Sequence, residues 1–127
     1  MTDAVQHTGR QRLAVARRWV VKVGSALLTN DGRGLDASAV KMLADQLAAM
    51  RSRGCDVVLV SSGAIVAGLA RLNLAERPHE VHLSQAAAAV GQSALVRAYE
   101  EHLSPLGVTT AQILLSHADV RARDRYL

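Results

Sequence analysis

Two short stretches hold residues whose types and spacing could do chemistry. Trp19-Val20-Val21-Lys22-Val23-Gly24-Ser25 sets one lysine inside a run of valines and closes on glycine and serine. Val60-Ser61-Ser62-Gly63-Ala64-Ile65 passes from an apolar run into two hydroxyls and a glycine. A lysine in an apolar strand is costly to bury alone, so Lys22 either snorkels its head into water or meets an anion. Gly24 leaves room for a ligand to approach the backbone. If a helix opens at Gly63, the amides of Gly63, Ala64 and Ile65 have no intrahelical acceptor, and the helix dipole favours negative charge in front of them. A cation, a bare glycine loop and a helix start facing one spot would cradle a phosphate or a carboxylate. Ser62 suits a helix N-cap, a role compatible with touching such a ligand.

Other motifs fail on the same residues. Gly63 to Gly68 has the glycine spacing of a Walker A loop, but Leu69-Ala70 follows where Lys-Ser/Thr is required. Ser62 lacks the Gly-x-Ser-x-Gly context of a nucleophile elbow. Gly32-Arg33-Gly34-Leu35-Asp36-Ala37 fits a relaxed dinucleotide fingerprint, yet loop residues separate it from the preceding strand. The five histidines show no metal-ligand spacing with Cys55 or with one another, and no metal site is expected. His79 and His82 are expected to be exposed.

These stretches need elements to position them. A strand ending near Gly24 leads to a turn-rich loop over Thr29 to Gly34, then to a helix capped by Asp36, with Val40, Leu43, Leu47 and Met50 at helical spacing. Lys41 and Asp45 pair on its outer side, and Gly54 suits its C-terminal cap. Cys55 to Val60 reads as an interior parallel strand, which completes a βαβ unit. A helix from about Gly63 to Leu72 follows, then a loop, then a longer helix through Gln85 to Gln92 that ends near Pro105. Gly91 inside that helix costs about 1 kcal/mol relative to Ala, so it implies close helix packing. Val108 to Leu115 is a third strand candidate, and Ser116 with Asp119 forms a helix-start signal. Because parallel strands bring their carboxyl ends to one edge, Lys22 to Ser25 and Ser61 to Gly63 should converge there.

With 127 residues and half of them hydrophobic, the chain suffices for one domain with a core. One Trp, two Tyr and no Phe leave that core to Val, Leu, Ile and Ala. The net charge of +4 is concentrated in residues 1–18, where four arginines face one aspartate. That placement argues for a basic, flexible, solvated tail followed by a domain over 19–127, and against nucleic-acid binding. No segment has the length of a signal peptide's apolar region or of a membrane span, and a cytoplasmic protein is expected. The single Cys55 excludes an internal disulfide and suits a reducing compartment.

Val21-Lys22-Val23-Gly24-Ser25, Val60 to Ile65, Gln85-Ala86-Ala87-Ala88-Ala89-Val90-Gly91-Gln92 and Gln112-Ile113-Leu114-Leu115 together resemble the glutamate 5-kinase branch of the amino-acid kinase family. The first two motifs occur across the family, whereas the last two point to this branch. The resemblance runs from about Trp19 to Leu127. It implies an α/β fold, a three-layer αβα sandwich with a mainly parallel sheet, of which this chain is the N-terminal, amino-acid-substrate half. It also implies transfer of the ATP γ-phosphoryl to the side-chain carboxylate of L-glutamate, the first step of proline biosynthesis, with Mg²⁺ accompanying the nucleotide. Lys22 matches the catalytic lysine at the transferring phosphoryl, and Gly24 and Ser25 match the adjoining phosphate loop. Ser62 matches a glutamate-contacting serine, with Gly63 and Ala64 at the same helix start. Relatives are homo-oligomers inhibited by proline. The family's later aspartate and asparagine, its nucleotide loops and a second lysine are not found up to Leu127, so residues 1–127 alone are expected to be inactive. Other amino-acid kinases, acting on acetylglutamate, aspartate or carbamate, and a silent assembly module are the competing expectations.

Overall fold

In a computed structural model, described over residues 9–31, 33–115 and 117–121, two strands and five helices follow one another along the chain. They are α1 (Gly9–Val15), β1 (Arg18–Val23), α2 (Ala37–Ser52), β2 (Asp56–Ser61), α3 (Ala64–Arg71), α4 (Val81–Leu103) and α5 (His117–Arg121). Single 3-10 turns lie at Ser25–Leu27 and Ser104–Leu106. No helix among the described residues is long and apolar enough to cross a membrane.

β1 and β2 pair in parallel, with Trp19 beside Val57, Lys22 beside Val60 and Val23 beside Ser61. The helix joining them is well punctuated. Asp36 accepts from the amides of Ser38 and Ala39 at 2.9 and 3.1 Å, which caps α2. At its other end Gly54 sits at φ 79°, and the amides of Gly54 and Cys55 return to the carbonyls of Arg51 and Met50. This is a Schellman closure, in which glycine takes the left-handed position at no steric cost. Lys41 meets Asp45 at 2.7 Å on the exposed side.

The strands alternate in burial. Trp19, Val21, Val23, Val57, Leu59 and Ser61 face the helices, while Val20, Lys22, Val58 and Val60 face outward. The inward set joins α2 and α4 in a core of Val23, Leu28, Val40, Ala44, Leu47, Leu95, Tyr99 and Leu103. Among the described residues, helices cover only this face, so two of the three expected layers are present. Val20 is 68% exposed. A continuous apolar run carries no period and therefore does not reveal how many faces are covered.

α3 packs against the first half of α4 at backbone contact. A Cβ built on Gly91 would collide with the Ala64 carbonyl and the Gly68 amide, and one built on Gly68 would strike the Ala87 carbonyl. The close packing expected at Gly91 is therefore present, with Gly68 as its counterpart.

Three expectations are corrected. Val108 to Leu115 is no strand: Val108 packs against the core, but Ala111 to Leu115 run on exposed, without ladder pairing. Strand propensity alone does not make a strand where no neighbouring backbone is supplied. The cap of α3 is Gly63, at φ 110°, and not Ser62, which stands one residue earlier. Part of the basic segment is helical, since α1 lies within it and is exposed throughout. The remaining tail, residues 1–8, lies outside the described residues, as do Ser116 of the proposed helix start and Gly32 of the discounted fingerprint.

Candidate functional site

The carboxyl ends of β1 and β2 meet as their parallel pairing requires. The Ser62 amide donates to the Val23 carbonyl at 3.0 Å, one step past the last strand pair. Gly24-Ser25 and Ser62-Gly63-Ala64 thus leave the sheet at a common edge. Lys22, opposite Val60, stands on the outward face just short of that edge and is exposed. Its exposure satisfies the solvation demand of the ammonium, and its four-carbon stem gives it reach over the edge.

The two chain exits differ. After β1 the backbone makes a 3-10 turn at Ser25–Leu27, buries Leu28, and closes a small loop by a bridge between Thr29 and Leu35. The Thr29 hydroxyl donates to the Ser25 carbonyl at 2.9 Å. The loop then lies on the turn into α3: from a Cβ built on Gly63, Leu35 Cδ2 is 3.8 Å and Thr29 Cγ2 4.0 Å away. Gly34 has its own reason to be glycine, with φ 114° and Ala70 against it. After β2 the chain turns at once, and Gly63 enters α3 in the left-handed region. The first intrahelical bond runs from Ala67 to the Gly63 carbonyl at 2.9 Å. The amides of Ala64, Ile65 and Val66 precede that bond, and no acidic side chain lies in the first turn. Such a helix start favours an anion.

Below this turn lies a contact that the sequence reading missed. Ser61 Oγ is 2.8 Å from the Tyr99 hydroxyl and donates to the Ser62 carbonyl at 3.2 Å. Tyr99 belongs to the buried stripe Ala87, Gly91, Leu95, Tyr99 and Leu103 along α4. The stripe was the available signal, because a tyrosine on a buried face needs a partner for its hydroxyl. Burial raises its phenol above the usual value of 10.0, and the bond to Ser61 pulls the other way. Elsewhere, Asp36 is held below the usual carboxylate range by the Ser38 hydroxyl and by the Ala39 and Ser38 amides.

His79 and His82 are exposed, and Cys55 is half-buried with its thiol 3.8 Å from the Ala16 carbonyl. No three His, Cys, Asp or Glu side chains among the described residues stand together as metal ligands.

Comparison with known proteins extends the picture. The family model described as the amino acid kinase family matches residues 17–127. The chain is 58% identical over 122 residues to a glutamate 5-kinase of Chromohalobacter salexigens, covering 96% of this chain and 32% of that protein. Glutamate 5-kinases of Saccharophagus degradans and Azoarcus sp. are 56% and 58% identical, each over 93% of this chain and 32% of their own length. The chain thus spans about a third of the length of the curated relatives it matches.

Proposed function

The chain belongs to the amino acid kinase family, and from that premise we propose that it supplies the amino-acid side of an ATP-dependent glutamate 5-kinase. The observation that carries this is the common edge at which Lys22-Gly24-Ser25 and Ser62-Gly63-Ala64 leave a parallel strand pair. In the reaction, a side-chain carboxylate oxygen of L-glutamate attacks the γ-phosphorus of ATP. The new O–P bond forms as the bond to the ADP oxygen breaks, and ADP departs with the electron pair, leaving L-glutamyl 5-phosphate. Such a transfer depends on positioning and charge neutralisation, since the protein forms no covalent bond.

Lys22 is the catalytic residue, its ammonium set against the charge on the transferring phosphoryl group. Gly24 and Ser25 form the phosphate-side loop, where the absent Cβ of Gly24 leaves backbone open to the ligand. Ser62 offers a hydroxyl to glutamate, and Gly63 and Ala64 offer the amides of the α3 start to its carboxylate. ATP is a substrate, and Mg²⁺ would accompany the nucleotide and screen the charge of its phosphates. The family resemblance also supports a cytoplasmic homo-oligomer subject to proline inhibition.

The test is an ATP- and glutamate-dependent assay in the full-length enzyme carrying this segment, with hydroxylamine trapping the acyl phosphate. Hydroxamate formed from glutamate, but not from N-acetylglutamate, aspartate or carbamate, is the expected result. A preference for one of those three would move the protein to another branch of the family. No acyl phosphate from any of them would leave an assembly role.

A further inference from the structure

The hydrogen bonds of Ser61 and Tyr99 reach the peptide that the proposed anion site depends on. A serine hydroxyl has one proton. In the 2.8 Å contact with Tyr99 either hydroxyl can donate; when Ser61 gives its proton to the Ser62 carbonyl at 3.2 Å, the phenol donates and Ser61 Oγ accepts. The result is a directed chain from Tyr99 Oη through Ser61 Oγ to the Ser62 carbonyl oxygen. The described residues contain no cis peptide bond. In a trans peptide the carbonyl and the following N–H point in opposite directions. Holding the Ser62 carbonyl therefore aims the Gly63 amide the other way. The Ser62 amide is already held by the Val23 carbonyl at 3.0 Å, so the peptide groups on both sides of Ser62 are tied down.

The restraint matters because of what sits there. Gly63 is at φ 110°, and a glycine can rotate its flanking peptides more freely than any other residue. Without an anchor on its carbonyl, the 62–63 peptide could flip and withdraw its N–H from the ligand. Tyr99 is a stable anchor: it is 7% exposed, is embedded in the core stripe of α4, and faces Ser61 across 38 residues of chain.

We propose that Tyr99 and Ser61 are positioning residues, whose two-link hydrogen-bond relay to the Ser62 carbonyl aims the Gly63 amide and thereby sets the affinity for the amino-acid carboxylate. The inference rests on the glutamate kinase reading above for its substrate, and on the hydrogen bonds alone for the relay.

Tyr99→Phe keeps the ring in the core and removes only the donor. In the full-length enzyme, Tyr99→Phe and Ser61→Ala should each raise KM for glutamate about fivefold, the scale of one hydrogen bond, with kcat and KM for ATP within about twofold of wild type. The double variant should be no worse than either single one, because both break the same relay. Ser61→Thr retains the hydroxyl and should restore the wild-type KM. A second readout is independent of turnover: the NMR resonance of the Gly63 amide should shift in Tyr99→Phe while amides in α2 stay put. An unchanged glutamate KM in Tyr99→Phe, or an unmoved Gly63 amide, overturns the relay. If the wild-type enzyme makes no glutamyl phosphate, the substrate reading fails by itself, and the Gly63 amide then decides the relay.

Discussion

Replacing Gly91 by alanine sets two effects of known sign against each other. Alanine is worth about 1 kcal/mol more than glycine in a helix interior, so an exposed site would gain stability. At Gly91 the added methyl would enter the Ala64 carbonyl and the Gly68 amide. Both are backbone atoms of α3, and neither can rotate aside. The helices must part, and overpacking of a filled site costs about 1–3 kcal/mol, more when backbone has to shift. Because backbone has to shift, the cost wins by about 1–2 kcal/mol, which at about 2–4 °C per kcal/mol for a domain of more than about 150 residues lowers the melting temperature of the full-length enzyme by about 2–8 °C. Ser93→Ala, two residues on and exposed, is the control and should melt within about 2 °C of wild type. Calorimetry of the full-length enzyme reads both. The displacement also has a direction: it pushes on Ala64 at the start of α3, so KM for glutamate should rise more than KM for ATP. A Gly91→Ala enzyme that melts at or above wild type would refute the backbone contact between α3 and α4.

Three further outcomes are expected. Lys22→Ala should lower kcat by about 10²–10³ while leaving the melting temperature nearly unchanged, since the side chain is exposed and its proposed role is charge stabilisation; near-normal turnover in a coupled ADP-release assay would remove Lys22 from catalysis. Gly63→Ala has room for its methyl, the nearest atom being 3.8 Å away, so its cost is torsional, about 1–2 kcal/mol for a left-handed alanine, read as a lower urea midpoint. The raised Tyr99 phenol contributes stability that is fully present below the unfolded-state pKa and is lost as pH rises through the higher folded-state pKa. Melting curves taken across the alkaline range should therefore fall more steeply for wild type than for Tyr99→Phe, and parallel curves would contradict the buried phenol.

Local signals were legible where one residue type has one physical use. Asp36 before an apolar period announced a cap, Gly54 a left-handed closure, and the valine runs around Lys22 and Val58 a parallel pair, each as found. The meeting of the two exits at one edge follows from parallel pairing alone. What depends on partners was not legible. Residues 108–115 have strand composition and no ladder, because pairing is supplied by neighbouring backbone. Ser62 looked like the cap, since capping statistics favour serine, but the sharp turn out of β2 demands a positive φ that only Gly63 meets cheaply. Tyr99 escaped notice because its partner is 38 residues distant, and no local pattern couples the two. Gly68 was weighed only as part of a phosphate-loop spacing, whereas its role is to let the Ala87 carbonyl approach.

α4 grips the turn between β2 and α3 from both sides: Tyr99 holds Ser61 before it, and Gly91 receives Ala64 after it. In hereditary terms the turn and the helix are one unit, although some thirty residues of chain separate them. Recombination between related genes respects such a unit only if the crossover falls outside it. A junction placed between α3 and α4 would join one parent's turn to another parent's clamp, and its damage would grow with the difference between parents at positions 61, 64, 68, 87, 91 and 99. A junction within residues 104–115 would leave both halves of the grip with the same parent.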